Sequence, residues 1–143
     1  MKFFITGGAG FIGSNLADRL VSKGHIVIVY DNLSTGKEFF IKHHYNNAKF
    51  KFVKGDMLDY NFLLNQLDED VDFVFHLAAN ADVRFGTENT KKDLEQNTVA
   101  TYNILEAMRI KNIKKIAFAS TGSVYGEPEI FPTPEDSSFP AGT

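Results

Sequence analysis

The chain has 143 residues, enough for one compact domain to bury a core unaided, and its formal charge of −3 comes from 15 basic and 18 acidic residues spread along the sequence. No basic stripe follows a nucleic-acid backbone, and the lack of cysteine excludes disulfides, thiolate metal sites and thiol nucleophiles, leaving oxygen-based or borrowed chemistry. The apolar run at residues 3–5 is cut off by Thr6-Gly7-Gly8, too short for a leader or a membrane span, so a cytoplasmic protein without membrane partners is expected.

Short β-branched and aromatic runs alternate with stretches of helical period, which predicts βαβ units. A strand is expected over Lys2–Thr6, then a glycine-rich turn and a helix over about 11–23, with Ile12, Leu16, Ala17 and Leu20 on one face and Gly24 as its stop. A strand at 26–30 leads to a weaker helix after Thr35, a strand at 51–54, a helix over about 60–67 and a strand at 72–76. The longest helix is expected over about 92–111, where Leu94, Val99, Tyr102, Leu105 and Met108 recur near helical spacing, followed by a strand at 115–119. The strands are mostly apolar, as strands covered on both faces are, and right-handed crossovers give the order 3-2-1-4-5. The expected fold is therefore α/β, a Rossmann-type doubly wound parallel sheet over residues 1–125. Residues 126–143 hold all four prolines and read as a loop.

Between the first strand and helix, Thr6-Gly7-Gly8-Ala9-Gly10-Phe11-Ile12-Gly13 places a GxxGxxG string where a pyrophosphate would meet a helix N-terminus. Gly7 allows the tight exit from the strand, Gly10 a close approach of the backbone to the phosphates, and Gly13 close packing of the helix, while Phe11 and Ile12 supply backbone amides. Alone, such a string is also compatible with an ordinary turn. Asp31, about 20 residues further on at the end of the second strand, is placed to accept hydrogen bonds from a ribose, with Asn32 and Ser34 beside it. That carboxylate favours NAD over NADP, since a 2′-phosphate would face it and no arginine follows before Lys37. Gly55-Asp56-Met57 sets a second carboxylate at the same edge of the sheet, near an adenine.

With that loop, Asp31, Gly55-Asp56, Phe75-His76-Leu77-Ala78-Ala79, Asn97 and Ser120-Thr121-Gly122-Ser123-Val124-Tyr125-Gly126-Glu127 in order, the chain resembles the extended short-chain dehydrogenases/reductases of the NAD-dependent epimerase/dehydratase kind. The resemblance implies that Leu77, Ala78 and Ala79 line the nicotinamide half of the cofactor and that Asn97 and Ser120 also contact it. It implies a catalytic hydroxyl at Thr121, four residues before Tyr125, although a capping threonine there is the plainer alternative; Tyr125 is not the family's catalytic tyrosine. It further implies a nucleotide-sugar 4-epimerase of the UDP-glucose type, which moves a hydride at sugar C4 through a 4-keto intermediate; a sheet edge and apolar helix faces left uncovered beyond the fifth strand separately predict self-association as a homo-oligomer. A sugar dehydratase or another epimerase is the nearest alternative, and a non-catalytic NAD-sensing or assembly module the one from another class. The family's YxxxK base pair is not found after Thr121. The chain alone is therefore expected to bind NAD without turnover, the nucleotide sugar requiring the longer protein. Tyr45-Asn46-Asn47-Ala48-Lys49 matches those letters, yet it precedes the third strand and is expected to be unrelated.

Among the remaining residues, adjacent His43 and His44 are expected to point apart on the surface, without a metal set. His76 reads as a packed, hydrogen-bonded residue more readily than as a proton shuttle. Arg84 reads as an ion-pair partner of Asp82 or Glu88, or as a contact for a substrate anion. The phenylalanines read as core.

Overall fold

The structure, a computed structural model, describes residues 1–80, 88–128 and 130–137. Five parallel strands form one sheet in the order β3-β2-β1-β4-β5. They are β1 (Lys2–Thr6), β2 (Ile26–Asp31), β3 (Phe50–Lys54), β4 (Phe73–His76) and β5 (Ile116–Phe118). Alternation along β1 shows how the layers arise: Phe3 and Ile5 point to one face of the sheet and Phe4 to the other. Phe3 and Ile5 join Val27 and Val29 under Ala17, Leu20 and Val21 of helix α1 (Phe11–Ser22). Phe4 joins Ile28, Tyr30 and Val74 under α2 (Tyr60–Gln66) and the long helix that precedes β5. The outer strand β3 carries exposed Lys51 and Lys54, which discourage further strand addition at that edge.

Helix ends follow local chemistry. Asp59 caps α2 by accepting from the Phe62 amide at 3.1 Å. Helix α1 ends in paired bonds, Gly24 N–H to Val21 O and His25 N–H to Leu20 O, which need a left-handed residue at Gly24, φ +81°. The long helix ends likewise, with Asn112 at φ 56° in place of glycine.

Several expectations change. The α1 face is shifted: Gly13, Ser14, Ala17, Leu20 and Val21 are buried and Ile12 is 66% exposed, because the small residues face the glycine turn. No α-helix follows Thr35; two single 3₁₀ turns, Glu38–Phe40 and Lys42–His44, hold that connection around buried Ile41. The long helix has three parts: α3 (Thr90–Asp93), a π-helical segment (Leu94–Val99) and α4 (Ala100–Ile110). Its buried face is Ala100, Asn103, Ile104, Ala107 and Met108, so Leu94, Val99, Tyr102 and Leu105 lie outward. Phe3, Phe4 and Phe50 are core, whereas Phe11, Phe39, Phe118 and Phe131 are exposed. Residues 130–137 form bends and turns, and Arg84 and Asp82 lie outside the described residues.

Candidate functional site

Chain connections leave β1 and β4 toward opposite faces of the sheet, and the crevice beyond their carboxyl ends is where such sheets take ligands. The sequence dictates the shape of that crevice through its glycines. Gly7 has φ +69°, and a Cβ there would lie 2.7 Å from the Ala78 amide nitrogen, so only glycine lets the turn pass this close to the end of β4. Gly13 packs against the turn, where a Cβ would meet Gly7 O at 2.5 Å, and the same restriction at Gly8 comes from Val29. A Cβ on Gly10 would meet only Gly7 O, at 3.3 Å, a close contact with a single backbone oxygen. The turn thus bares the first amides of α1, those of Phe11 and Ile12, which have no carbonyl one turn back to bond; the Gly10 cap offers no side chain.

One arm of the crevice, about 170 Å³, is lined by Gly7, Gly10, Asp31, Asn32, Ser34, Met57 and Leu77 among the predicted residues. Asp31 is 8% exposed and structures this arm. Its Oδ2 accepts from the Ala9 amide at 2.9 Å and its Oδ1 from the Leu33 amide at 2.8 Å, holding Leu33 at φ 62°, a conformation uncommon for leucine. Each oxygen keeps a lone pair for a further donor. Asn32 Oδ1 accepts from the Ser34 amide at 2.9 Å, and its Nδ2 donates to Asp56 Oδ2 at 3.0 Å. Asp56 therefore acts from behind the wall, its other oxygen taken by the Leu58 amide at 2.9 Å. Gly55 of the Gly55-Asp56-Met57 motif lines the arm as well, as do Tyr30, Thr35, Gly36 and Gln96, which sequence reasoning missed. Tyr30 is buried, its hydroxyl donates to Asp56 O at 2.8 Å, and burial followed by Asp59 and Asp56 raises its pKa. A period-2 strand pattern marks such a residue only as core.

The second arm, about 580 Å³, meets the first at Ala78 and Ala79 and brings together Asn97, Ser120 and Thr121 with Asn80, Asp93 and Thr101. The wall between β4 and the long helix is one directional chain of hydrogen bonds. Thr101 Oγ1 donates to Asn97 O at 2.6 Å, so it accepts from His76 Nε2–H at 3.0 Å. His76 Nδ1 then accepts from Thr6 Oγ1 at 2.7 Å, and Thr6 accepts from the Ala78 amide at 3.3 Å. His76 is 1% exposed, and burial lowers its pKa to about 4, keeping the ring neutral in this one tautomer. The π-helical segment turns Asn97 toward the crevice, where its Oδ1 accepts from the Asn80 amide at 2.8 Å. Asn80 and Thr101 were missed; the four-residue step from Asn97 to Thr101 was the available signal. Thr121 follows β5 after Ala119 and Ser120 and leads into the Gly122–Tyr125 turn.

Tyr45 and Lys49 do not act as a pair: the Tyr45 hydroxyl donates to Glu38 Oε1 at 2.7 Å and Lys49 Nζ to Gly24 O at 3.0 Å. They sit at the β3 edge, away from both arms.

The model of the NAD dependent epimerase/dehydratase family matches residues 3–143. The chain belongs to this family. It is 40% identical over 139 residues to UDP-glucose 4-epimerase of Mycolicibacterium smegmatis, covering 95% of this chain and 44% of that protein. It is 37% identical over 136 residues to UDP-glucuronic acid decarboxylase 1 of Danio rerio, covering 94% of this chain and 31% of the relative. The structure of UDP-glucose-4-epimerase from Stenotrophomonas maltophila with bound NAD and formylated UDP-arabinopyranose superposes with a TM-score of 0.86 at 27% identity, covering 100% of this chain and 44% of that one. The chain thus spans less than half the length of the relatives it matches. NAD is the cofactor of the epimerase/dehydratase family. The donor set fits it: bared amides at the glycine turn, a buried carboxylate at the end of β2, and a roomier second arm.

Proposed function

We propose that this chain is the NAD-binding portion of a nucleotide-sugar 4-epimerase, and that the catalytic threonine is Thr121. The observation that carries the reading is the two-armed crevice, with the glycine turn and Asp31 on one arm and Asn97 and Thr121 on the other. The amides of Phe11 and Ile12, with Gly7 and Gly10 clearing space, hold the pyrophosphate, and Asp31 accepts from the adenosine ribose, with Asn32, Ser34 and Met57 around it and Asp56 behind. Leu77, Ala78 and Ala79 wall the nicotinamide side, while Asn97 and Ser120 orient what lies there. NAD, when bound, supplies a reversible hydride acceptor for sugar C4. The Thr121 hydroxyl bonds the C4 oxygen of the nucleotide sugar and positions its proton for a base from the longer protein. Residues 126–143 serve as the loop toward that part, with the dinucleotide domain spanning residues 1–125.

A carboxylate pair of the kind a dehydratase needs is not present beside Thr121, which favours epimerisation. The decarboxylase relative gives a second reading, UDP-glucuronate as substrate, on the same cofactor half. The outward Leu94, Val99, Tyr102 and Leu105 support self-association.

Calorimetric titration with NAD, NADP and UDP-sugars is the test. NAD is expected to bind more tightly than NADP, and Asp31→Asn to weaken NAD by about tenfold, the loss of one charge-assisted hydrogen bond. Equal affinity for the two cofactors, or an unchanged Asp31→Asn variant, overturns the cofactor assignment. Product analysis of the longer protein then separates the reactions. Interconversion of UDP-glucose and UDP-galactose supports the epimerase, pentose formation from UDP-glucuronate supports the decarboxylase, and NAD binding with neither reaction supports a sensing module.

A further inference from the structure

Two histidines and an aspartate converge on one point outside the crevice. His43 and His44 lie in the Lys42–His44 turn between β2 and β3, and Asp18 lies on α1. In a strand or an α-helix adjacent side chains diverge, as the sequence suggested here. The tight turn instead brings the ring centroids within 4.0 Å, and Asp18 Oδ1 accepts from both, at 2.9 Å from His43 Nε2 and 2.6 Å from His44 Nε2. The three ligand-capable atoms all lie within 4.8 Å of one another. Sequence reading could not find this set, because the third member is 25 residues away on another element. None of the three lines either arm of the crevice, so the cofactor reading leaves them without a role.

We propose that Asp18, His43 and His44 form a binding site for a divalent transition-metal ion, zinc in the first place. Two imidazole nitrogens and one carboxylate oxygen suit zinc, cobalt or nickel, whereas magnesium and calcium prefer all-oxygen shells. Bonds of about 2.0–2.2 Å in a tetrahedron set ligand atoms about 3.3 Å apart, so the ion enters by drawing Asp18 Oδ1 back from its present 2.9 Å and 2.6 Å contacts with the two rings. The Asp18 and His43 side chains are 47% and 52% exposed, which leaves them free to adjust and leaves room for water to complete the shell. His44, 13% exposed, is the fixed member, held against the Phe50 ring at 5.1 Å. Neighbouring Lys42 is drawn aside over the Phe39 ring, 5.2 Å from its centroid. On binding, the ion takes the Nε2 lone pairs, so each ring keeps one proton on Nδ1, and a proton passes to solvent only from a ring that carried two. The ion then staples α1 to the connection whose first residues, Ser34 to Gly36, wall the adenosine arm.

The test is titration of the chain with ZnCl2, followed by imidazole ¹H–¹⁵N correlation spectra and by thermal melting. With no cysteine and only four histidines, the competing ligands are few. The His43 and His44 resonances are expected to shift on binding one equivalent, with His25 and His76 unmoved and the melting temperature raised. His44→Ala and Asp18→Asn are each expected to weaken binding by at least about tenfold, and MgCl2 to give no response. Absence of any His43 or His44 shift at millimolar ZnCl2, a response confined to His25 or His76, or unchanged affinity in both variants overturns the proposal.

Discussion

His76 occupies both of its ring nitrogens with hydroxyls whose other bonds run in one direction, from the Ala78 amide to the Asn97 carbonyl. A second ring proton has no acceptor in that chain, and burial lowers the pKa to about 4 against an ordinary 6.5. The unfolded state therefore binds a proton before the folded state does. The stability His76 contributes is complete above pH 6.5 and is lost as pH falls toward 4, at most about 3 kcal/mol. Urea denaturation of the wild type and His76→Gln across that window is expected to show a steeper fall for the wild type. Parallel curves would remove His76 from the account.

At the scale of elements, two glycines in one turn make different predictions. Gly7→Ala meets both a positive φ and a contact of 2.7 Å to backbone, and is expected to lose about 2–3 kcal/mol of stability. Gly10 has φ −78°, so Gly10→Ala is expected to cost less than about 1 kcal/mol while weakening NAD. Denaturant midpoints with NAD titration distinguish the two; equal destabilisation would contradict the assigned geometry. The glycine spacing was legible because it acts within a few residues. The π-helical segment was not, since only packing on Asn80 and the Thr101 bond to Asn97 reveal that the helix changes phase. The same blindness put Leu94, Val99, Tyr102 and Leu105 on an expected core face that the sheet does not cover.

At the scale of the whole molecule, that outward face is the principal uncovered apolar surface of the long helix, with Tyr102 63% and Leu105 47% exposed. A second copy covering it would desolvate these side chains. Leu105→Glu is expected to weaken self-association by about tenfold or more in sedimentation equilibrium, with the fold unchanged by circular dichroism. A wild type that stays monomeric at high concentration would place no partner there. No helix among the described residues is long and apolar enough to cross a membrane.

Strand order, the position of the glycine turn and the carboxylate at Asp31 follow from the sequence by itself, since hydrophobic period, glycine spacing and crossover handedness are properties of short segments and of chirality. Which face of a helix is covered, how Thr6, His76 and Thr101 join into one chain, and that Asp18 meets His43 and His44 were decided only by the tertiary structure. Those contacts join residues from 25 to 70 positions apart, and their geometry depends on how the elements between them pack.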